Sequence, residues 1–299
     1  MQNTQKITKA VIPCGGLGTR FLPITKAVPK EILPVIDTPV LGHIVNEARL
    51  SGITDVLIIL GPGKDAIRNY FTDNAALLER LESCGKSAEA EVLRAVTRGI
   101  NFSFAVQEQP LGSGHAVLYA EKFAAGEPFA LAWGDDLICC EGDPVMGQLI
   151  GAYQKRGGVI LGVQYLDGDD IVKYGVADVI GEVKRGANAA YKCRGIVEKP
   201  PLDKAPSRLC SFGRYILTPG VFDAIRATAK ASNGEIQLTD ALNAMCETTD
   251  VYAFDFVGRR YDMGDKFGSV RAVIEYALKS SEYGDRVRDY LKELVKDFG

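Results

Sequence analysis

The sequence predicts an α/β fold in which a doubly wound, mostly parallel, Rossmann-like sheet is accompanied by a smaller antiparallel β lobe and C-terminal helices. Three observations support this prediction. Short apolar runs alternate with helical patterns over residues 6–165. Residues 166–265 change to shorter β-like segments separated by turns rich in glycine, asparagine and proline. Residues 266–299 have a charged, helical pattern without a motif that carries chemistry.

The strands of the first half are predicted from apolar runs that end at turn residues. The run 55–60, closed by Gly61 and Pro62, is typical of a central strand buried on both faces. Further strands are expected at 10–13, 102–106, 129–133 and 159–163, with helices at 39–51, 65–98, 114–122 and 145–153. Right-handed crossovers bring the carboxyl ends of parallel strands to one edge of the sheet, so we expect ligands to bind at that edge.

The second half is predicted from weaker patterns. Strands are expected at 175–179, 191–198, 214–217 and 251–256, and helices at 221–229 and 237–245. We expect the first three of these strands to form an antiparallel lobe over the ligand edge. The tail is expected to form two helices, 267–278 and 283–295.

Composition excludes several function classes. Of the 299 residues, 46% are hydrophobic and 24% are charged, as in an ordinary globular protein, and the formal net charge of −3 argues against broad binding of nucleic acid or anionic membranes. Seven scattered cysteines without a Cys-x-x-Cys pair are typical of reduced thiols. We therefore expect a cytoplasmic protein whose anionic ligands are held by a local cluster of cations.

The segment after the first strand combines glycines with cations, namely Gly15, Gly16, Gly18, Arg20, Lys26 and Lys30. Glycines allow several backbone N–H groups to approach one phosphate chain, and the cations supply the charge that glycine lacks. No Gly-Lys-Ser/Thr follows, which excludes a Walker A loop, and Phe21 replaces the third glycine of a dinucleotide fingerprint. A ligand-free strand-to-helix turn is the alternative. The segment 61–65 is predicted to be such a plain turn.

Paired carboxylates close another predicted strand. Asp135 and Asp136 follow Trp133 and Gly134, at the edge where ligands bind. One or two carboxylates beside substrate phosphates suit Mg²⁺, although an aspartate pair can also cap a turn. Asp262 is a second candidate, and it can share one ion with Asp135 only if the sheet brings the two strand ends together.

Polar residues that are candidates for ligand binding also follow two other predicted strands. Gln107 precedes Gly112 and His115, and a glutamine amide matches the imide edge of uracil or thymine while glycine allows close approach of the base. The structural interpretation of His115 is favoured over a catalytic one. At another strand end, Glu198 and Lys199 are candidates for binding sugar hydroxyls and a phosphate, with a surface ion pair as the alternative.

Together these motifs resemble those of the bacterial UTP:glucose-1-phosphate uridylyltransferases, also called UDP-glucose pyrophosphorylases. The resemblance extends from Ala10 to about Tyr276. It is carried, in the same order, by Gly-Leu-Gly-Thr-Arg, Pro-Lys-Glu-x-Leu-Pro, Gly-His-Ala-Val, Tyr-Gly-Val, Val-Glu-Lys-Pro, Gly-Glu-Ile-Gln-Leu-Thr-Asp and Asp-x-Gly-Asp-Lys. The first motif is common to all sugar nucleotidyltransferases, whereas the last two indicate the glucose uridylyl branch.

The resemblance implies a reaction and a role for each motif residue. Glucose 1-phosphate would attack the α-phosphorus of UTP in line, with Mg²⁺ as cofactor, in a homodimer or homotetramer. The implied catalytic residues are Arg20, Lys30, Asp135 and Lys199, and the implied metal ligands are Asp135 and Asp262. The implied nucleotide-binding residues are Gly15, Gly16, Gly18, Gln107 and Gly112. The implied sugar-phosphate-binding residues are Gly175, Glu198 and Lys199.

The expected organisation is a nucleotidyltransferase domain at 6–265 and a helical extension at 266–299. Its nucleotide-binding half would be about 6–165 and its sugar-phosphate part about 166–265. The chain departs from the family pattern at Cys14-Gly15-Gly16, where Val or Ala followed by Ala-Gly is usual, and at Gly134, where proline is usual. Both substitutions occur in sister branches. A thymidylyl or N-acetylhexosamine-1-phosphate enzyme is therefore one alternative. A non-catalytic nucleotide-sugar-binding regulator is a separate alternative from a different function class.

Overall fold

The structure is a computed structural model that describes residues 5–186, 188–231 and 234–296. Its strands, in chain order, are β1 Lys9–Cys14, β2 Pro34–Val35, β3 Thr38–Pro39, β4 Asp55–Leu60, β5 Asn101–Val106, β6 Phe129–Ala132, β7 Asp136–Cys139, β8 Val159–Tyr165, β9 Gly175–Val179, β10 Ala190–Glu198, β11 Leu209–Leu217, β12 Val251–Asp255 and β13 Arg259–Asp262.

The helices alternate with these strands through the first half of the chain. They are α1 Val40–Leu50, α2 Asp65–Tyr70, α3 Ala75–Ser83, α4 Ser87–Thr97, α5 Ser113–Leu118, α6 Glu121–Ala124, α7 Val145–Arg156, α8 Gly220–Ala227, α9 Leu238–Met245, α10 Lys266–Lys279 and α11 Gly284–Lys296. The region 65–98, predicted to be helical, contains three helices, and the helix predicted at 114–122 is divided into two. Among the described residues, no helix is both long and apolar enough to cross a lipid bilayer.

One mixed sheet organises the described part of the chain. Nine strands lie in the order β5-β4-β1-β6-β11-β8-β12-β10-β9. The pairs β4–β5, β1–β4, β1–β6 and β8–β12 are parallel, whereas β11 runs antiparallel to both of its neighbours, β6 and β8. The predicted α/β alternation is confirmed, and the parallel strands β5, β4, β1 and β6 bring their carboxyl ends to one edge.

The antiparallel lobe was predicted over the ligand edge, but its strands belong to the main sheet. Strands β9 and β10 extend the same sheet beyond β12, and β11 is inserted into its middle. The physical reason is hydrogen bonding: β10 pairs with the edge of β12, and β11 pairs with both β6 and β8, so strand edges that would otherwise be unpaired are satisfied within the sheet.

Strands β7 and β13 form a two-stranded ribbon that was not predicted from the sequence. The two segments pair antiparallel, with Asp136 opposite Asp262. Each segment has only four residues and follows a turn, so neither has the longer apolar run by which the other strands were recognised. The ribbon matters because it places the segment after β6 beside a segment from the far end of the chain.

Helices cover both faces of the sheet. Adjacent residues of β1 belong to different apolar clusters: Val11 packs with Leu57 and Val117, whereas Ile12 packs with Ile58 and Ile44. Because successive side chains of a strand point to opposite faces, β1 and β4 are buried on both sides. Burial on both sides explains why both strands have continuous apolar runs.

A buried ion pair joins the sheet to the helical layer. Arg214 of β11 is 0% exposed and donates to Glu47 of α1 from Nε at 3.0 Å and from Nη2 at 2.7 Å. Its Nη2 also donates to the backbone oxygen of Asp136 at 2.8 Å, and Glu47 accepts from the backbone N–H of Met146 at 3.0 Å. One guanidinium thus connects β11, α1 and β7, and its carboxylate partner also contacts α7.

We predict that Glu47→Gln lowers the free energy of unfolding by about 3 kcal/mol, because a buried arginine loses its counter-charge. Urea denaturation followed by circular dichroism measures this. The matched control is Glu121→Gln, which removes one of the two exposed partners of Arg226 and should leave the unfolding curve nearly unchanged. A wild-type curve for Glu47→Gln would show that the buried pair does not hold these elements.

Candidate active site

The carboxyl ends of neighbouring strands supply the first group of candidate residues. The glycine-rich segment follows β1, Gln107 follows β5 and Asp135 follows β6, and these strands are neighbours in the sheet together with β4. Gly61, at the end of β4, also belongs to this edge: a Cβ there would lie 2.9 Å from the backbone oxygen of Gly15. The segment predicted to be a plain turn therefore packs directly against the glycine-rich segment.

The glycines of that segment leave room for Lys30 and for a tight turn. A Cβ at Gly16 would lie 3.3 Å from Lys30 Nζ. Gly18 has φ +66°, a left-handed conformation that glycine adopts without strain, and its backbone oxygen accepts a hydrogen bond from Thr25 Oγ1 at 2.8 Å. Lys26 lies exposed in the short turn Ile24–Lys26.

Asp135 and Asp262 come together beside Gly264. A Cβ on Gly264 would lie 3.1 Å from Asp262 Oδ1, 3.4 Å from Asp135 Oδ2 and 3.5 Å from Arg20 Nη1. The ribbon of β7 and β13 makes this possible, and Met263 N donates to the backbone oxygen of Asp135 at 3.2 Å. Two carboxylates thus face a space that only glycine leaves open.

Cations balance these carboxylates. Lys30 Nζ donates to Asp135 Oδ2, and Arg20 Nη1 donates to the backbone oxygen of Gly264 at 3.3 Å. Burial alone would lower the pKa of Lys30, but the adjacent Asp135 carboxylate outweighs burial and raises this pKa. Lys30 is therefore a charged ammonium at neutral pH, placed between the glycine-rich segment and the carboxylates.

Asp136 is held differently from Asp135. Its carboxylate accepts from Arg260 Nε at 2.7 Å, and Arg260 Nη1 donates to Tyr174 Oη at 3.0 Å. The guanidinium of Arg260 also lies over the rings of Tyr174 and Phe212, at 4.9 and 4.6 Å from their centroids. Asp136 is thus engaged in a buried bridge between the ribbon and the segment that leads into β9.

Gln107 lies near the glycine-rich segment at the other side of the edge. Its Oε1 would be 2.9 Å from a Cβ on Gly15, and its Nε2 lies 3.3 Å from the backbone oxygen of Gly112 and 2.9 Å from His115 Nδ1. Gly112 has φ +104°, and a Cβ there would lie 2.5 Å from the backbone oxygen of Ile236. Packing against Ile236 therefore requires glycine at position 112 independently of any ligand.

Gly175, Glu198 and Lys199 form a third cluster on the antiparallel strands. Gly175 pairs with Glu198 across β9 and β10. Glu198 Oε2 would lie 3.2 Å from a Cβ on Gly175 and accepts from Thr239 Oγ1 at 2.8 Å. Lys199 has φ +45°, which is strained for a residue other than glycine, and its Nζ lies 3.2 Å from Glu198 Oε1.

Two adjoining cavities connect these clusters. A cavity of about 740 Å³ is lined by Arg20, Asp135 and Asp262, and one of about 230 Å³ is lined by Gly175, Glu198 and Thr239. Tyr174 and Lys199 line both. An extended ligand can therefore contact the two carboxylates and the Gly175 cluster at once.

The two departures from the family pattern meet in space. A Cβ at Gly134 would lie 2.6 Å from Cys14 Sγ. Cys14 is 1% exposed, and burial raises the pKa of its thiol well above the ordinary value. The thiol thus occupies the space that a side chain at position 134 would need, so the two substitutions form a single packing change.

Some site residues were missed by the sequence analysis. Thr239 lies within one of the motifs but had no predicted role, Arg260 lies two residues before the Asp-x-Gly-Asp-Lys motif, and the turn residue Lys64 pairs with Glu31 at 2.7 Å. The alternation of Arg260 with Asp262 along one strand, which puts both on one face, was an available signal. Nothing in the local sequence indicates the Lys64–Glu31 pair, because its members lie on separate loops.

The residues present fit a divalent cation held partly by a substrate. Within residues 5–186, 188–231 and 234–296, no group of three or more His, Cys, Asp or Glu side chains could hold a metal ion. Asp135 and Asp262 provide two carboxylates that face one space. Two carboxylates completed by water and phosphate oxygens are a usual environment for Mg²⁺.

Comparison with known proteins agrees with this geometry. The family model described as nucleotidyl transferase matches residues 9–279. The UTP–glucose-1-phosphate uridylyltransferase of Staphylococcus epidermidis is 43% identical over 291 residues, which cover 97% of this chain and 99% of that protein. The protein named UTP–glucose-1-phosphate uridylyltransferase 2 of Staphylococcus saprophyticus is 42% identical over 290 residues, with the same coverage.

Solved structures agree as well. The UTP-bound UGPase from Acinetobacter baumannii has a TM-score of 0.89 and 33% identity, covering 96% of this chain and 99% of that one. A UDP-glucose pyrophosphorylase complexed with UDP-glucose has a TM-score of 0.80 and 35% identity, covering 92% and 100%. The resemblance found in the motifs is thereby confirmed. The chain belongs to the nucleotidyl transferase family.

Proposed function

We propose that this protein transfers the uridylyl group of UTP to glucose 1-phosphate, forming UDP-glucose and pyrophosphate. The observation that carries the proposal is the convergence at Gly264, where Asp135, Asp262 and Arg20 surround one space that continues into the cavity of Gly175 and Glu198. Relatives named for this reaction, 42–43% identical over nearly the whole chain, support the choice of substrates.

In this proposal the nucleotide binds at the carboxyl edge of β1 and β5. Gly15, Gly16 and Gly18 approach its phosphates, and Gln107 faces the base beside Gly112. Arg20 and Lys30 lie where they can neutralise the phosphate chain, because both border the space between the glycine-rich segment and the carboxylates. The preformed cations would stabilise charge that develops during transfer.

The sugar phosphate binds on the opposite side of the cavity. Glu198, fixed by Thr239, can accept from sugar hydroxyls beside Gly175. Lys199 lines both cavities and can contact the phosphate between them. A phosphate oxygen of glucose 1-phosphate then attacks the α-phosphorus of UTP as the bond to the β-phosphate oxygen breaks and pyrophosphate leaves. The attacking oxygen is already anionic, so no general base is required.

We propose Mg²⁺ as the cofactor, held by Asp135 and Asp262. When bound, it would neutralise phosphate charge and help to align the reacting groups. Lys30 would exchange its contact with Asp135 for the phosphates of the nucleotide, because the ammonium lies between the two.

We further propose that residues 6–265 form the nucleotidyltransferase domain and 266–299 a helical extension, of which 297–299 lie outside the described residues. The nucleotide-binding part would be about 6–165, which contains the glycine-rich segment and Gln107, and the sugar-phosphate part about 166–265, which contains Gly175, Glu198 and Lys199. A homodimer or homotetramer is consistent with the exposed apolar residues Phe267, Val270 and Ile274 on α10.

The direct test is to incubate the purified protein with UTP, glucose 1-phosphate and Mg²⁺ and to measure pyrophosphate and UDP-glucose. We expect turnover that depends on all three components. Parallel reactions with TTP and with N-acetylglucosamine 1-phosphate distinguish the thymidylyl and N-acetylhexosamine alternatives. Nucleotide-sugar binding without turnover on any pair would instead support a regulator.

For the carboxylates, we predict that Asp135→Asn and Asp262→Asn each lower kcat by about a hundredfold or more, because charge stabilisation at the phosphates is lost. Both variants should also bind Mn²⁺ more weakly in the presence of UTP, as measured by electron paramagnetic resonance. Asp170→Asn is the control: this aspartate lines the same cavity but pairs with exposed Lys173 at 2.7 Å. Full activity of either site variant would contradict the assignment.

For the sugar phosphate, we predict that Lys199→Ala raises the KM for glucose 1-phosphate by about tenfold, because one charge-assisted contact to its phosphate is removed. The KM for UTP should change much less. Lys204→Ala, which removes a nearby exposed lysine, serves as the control in the same steady-state assay. An unchanged KM for glucose 1-phosphate would argue against contact with Lys199.

A further inference from the structure

The amide of Gln107 lies in a space that exists because neighbouring glycines have no side chains. Gln107 follows β5 and is 5% exposed, yet its Oε1 reaches the glycine-rich segment that follows β1. The strand between them, β4, ends at Gly61, whose missing side chain lets Gly15 pack against it. The absence of a Cβ on Gly15 then leaves space for the amide oxygen. A buried polar group is thus placed at the end of the proposed nucleotide site.

The orientation of this amide follows from its partners. Nε2 of Gln107 lies 3.3 Å from the backbone oxygen of Gly112 and 2.9 Å from His115 Nδ1. A backbone carbonyl can only accept a hydrogen bond, so the amide nitrogen must be on this side. Turning the amide over would place two oxygens against each other. The two partners therefore use both hydrogens of the amide nitrogen and leave Oε1 facing Gly15.

The same contacts determine the tautomer of His115. Because Nε2 of Gln107 only donates, His115 Nδ1 must offer its lone pair, and the ring proton is then on the other nitrogen. The imidazole is also held by an edge contact with Tyr119, with ring centroids 5.4 Å apart. His115 therefore accepts a hydrogen bond from the amide nitrogen of Gln107.

We infer that His115 is a positioning residue that fixes Gln107 as a hydrogen-bond acceptor toward the base and so selects uracil or thymine over cytosine. This inference rests on the proposed function, in which the base lies at Gln107. Uracil and thymine have an N–H at ring position 3, which Oε1 can accept, whereas cytosine has a lone pair there. Cytosine in the same position would require the reversed amide, which would place Oε1 against the backbone oxygen of Gly112 and remove the hydrogen bond that Nε2 donates to this tautomer of His115.

The test compares two variants of similar shape at position 115. In His115→Leu a methyl group replaces the acceptor atom, whereas in His115→Asn the side-chain oxygen can occupy the place of Nδ1. For each protein, kcat/KM is measured with UTP, TTP and CTP at a fixed concentration of glucose 1-phosphate. We expect His115→Leu to lower the UTP/CTP ratio by about tenfold or more, because one of the two acceptors that hold the amide nitrogen in place is lost. His115→Asn should keep the ratio within about twofold of wild type, since the acceptor remains.

Further measurements separate positioning from a general loss of structure. The UTP/TTP ratio should stay constant in both variants, because uracil and thymine share the N–H, and thermal unfolding should show that both remain folded. An unchanged UTP/CTP ratio in His115→Leu would overturn the inference. An equal fall in His115→Asn would also overturn it, because a lost acceptor could not then be the cause.

Binding measurements distinguish failure of this inference from failure of the proposed function. Dissociation constants of UTP and CTP are measured by calorimetry for the same three proteins. Wild-type protein that prefers UTP in binding but shows no turnover would contradict the proposed function, while the variants would still decide the role of His115. Wild-type protein that binds CTP as tightly as UTP would overturn the inference itself.

Discussion

The arrangement of the proposed metal ligands depends on the hydrogen bonds of the buried Arg214 guanidinium. This guanidinium is paired with Glu47 of α1 and donates to the backbone oxygen of Asp136, the residue next to the proposed metal ligand Asp135. The backbone that presents Asp135 is thereby attached to a helix on one face of the sheet. A charge buried this completely is costly unless all of its partners are in place, so the contact favours one arrangement of β11, α1 and β7 over alternatives.

A second guanidinium, that of Arg260, connects the ribbon of β7 and β13 to the proposed sugar-phosphate-binding residues. It bridges Asp136 on β7 and Tyr174, which directly precedes Gly175. Asp136 is thus contacted twice, by Arg214 at its backbone and by Arg260 at its carboxylate. The proposed metal ligands and the Gly175 cluster are connected through this one residue. Both adjacent aspartates line the cavity, but the carboxylate of Asp136 is engaged by Arg260, whereas that of Asp135 faces Asp262 beside Gly264.

Sequence reasoning could predict what is encoded locally. The two-sided burial of Val11 and Ile12 follows from a continuous apolar run, and the glycines, Arg20 and Lys30 stand close together in the chain. It could not place β9 and β10 in the main sheet, because strand order depends on hydrogen-bond partners distant in sequence. From the sequence, it could be said only that Asp135 and Asp262 share one ion if the sheet brings their strand ends together. Their convergence depends on the ribbon of β7 and β13, whose four-residue segments have weak local signals.

The charges of the site also explain how carboxylates and cations can be close before any ligand binds. Burial opposes the charged form of Lys30, but the Asp135 carboxylate stabilises it, and the pKa of Lys30 is raised. An incoming polyphosphate offers Lys30 a stronger anion, and a divalent cation offers Asp135 a stronger positive charge. Each ligand therefore makes it easier for the other to separate the pair. On this physical ground, nucleotide and metal should bind to the proposed site cooperatively.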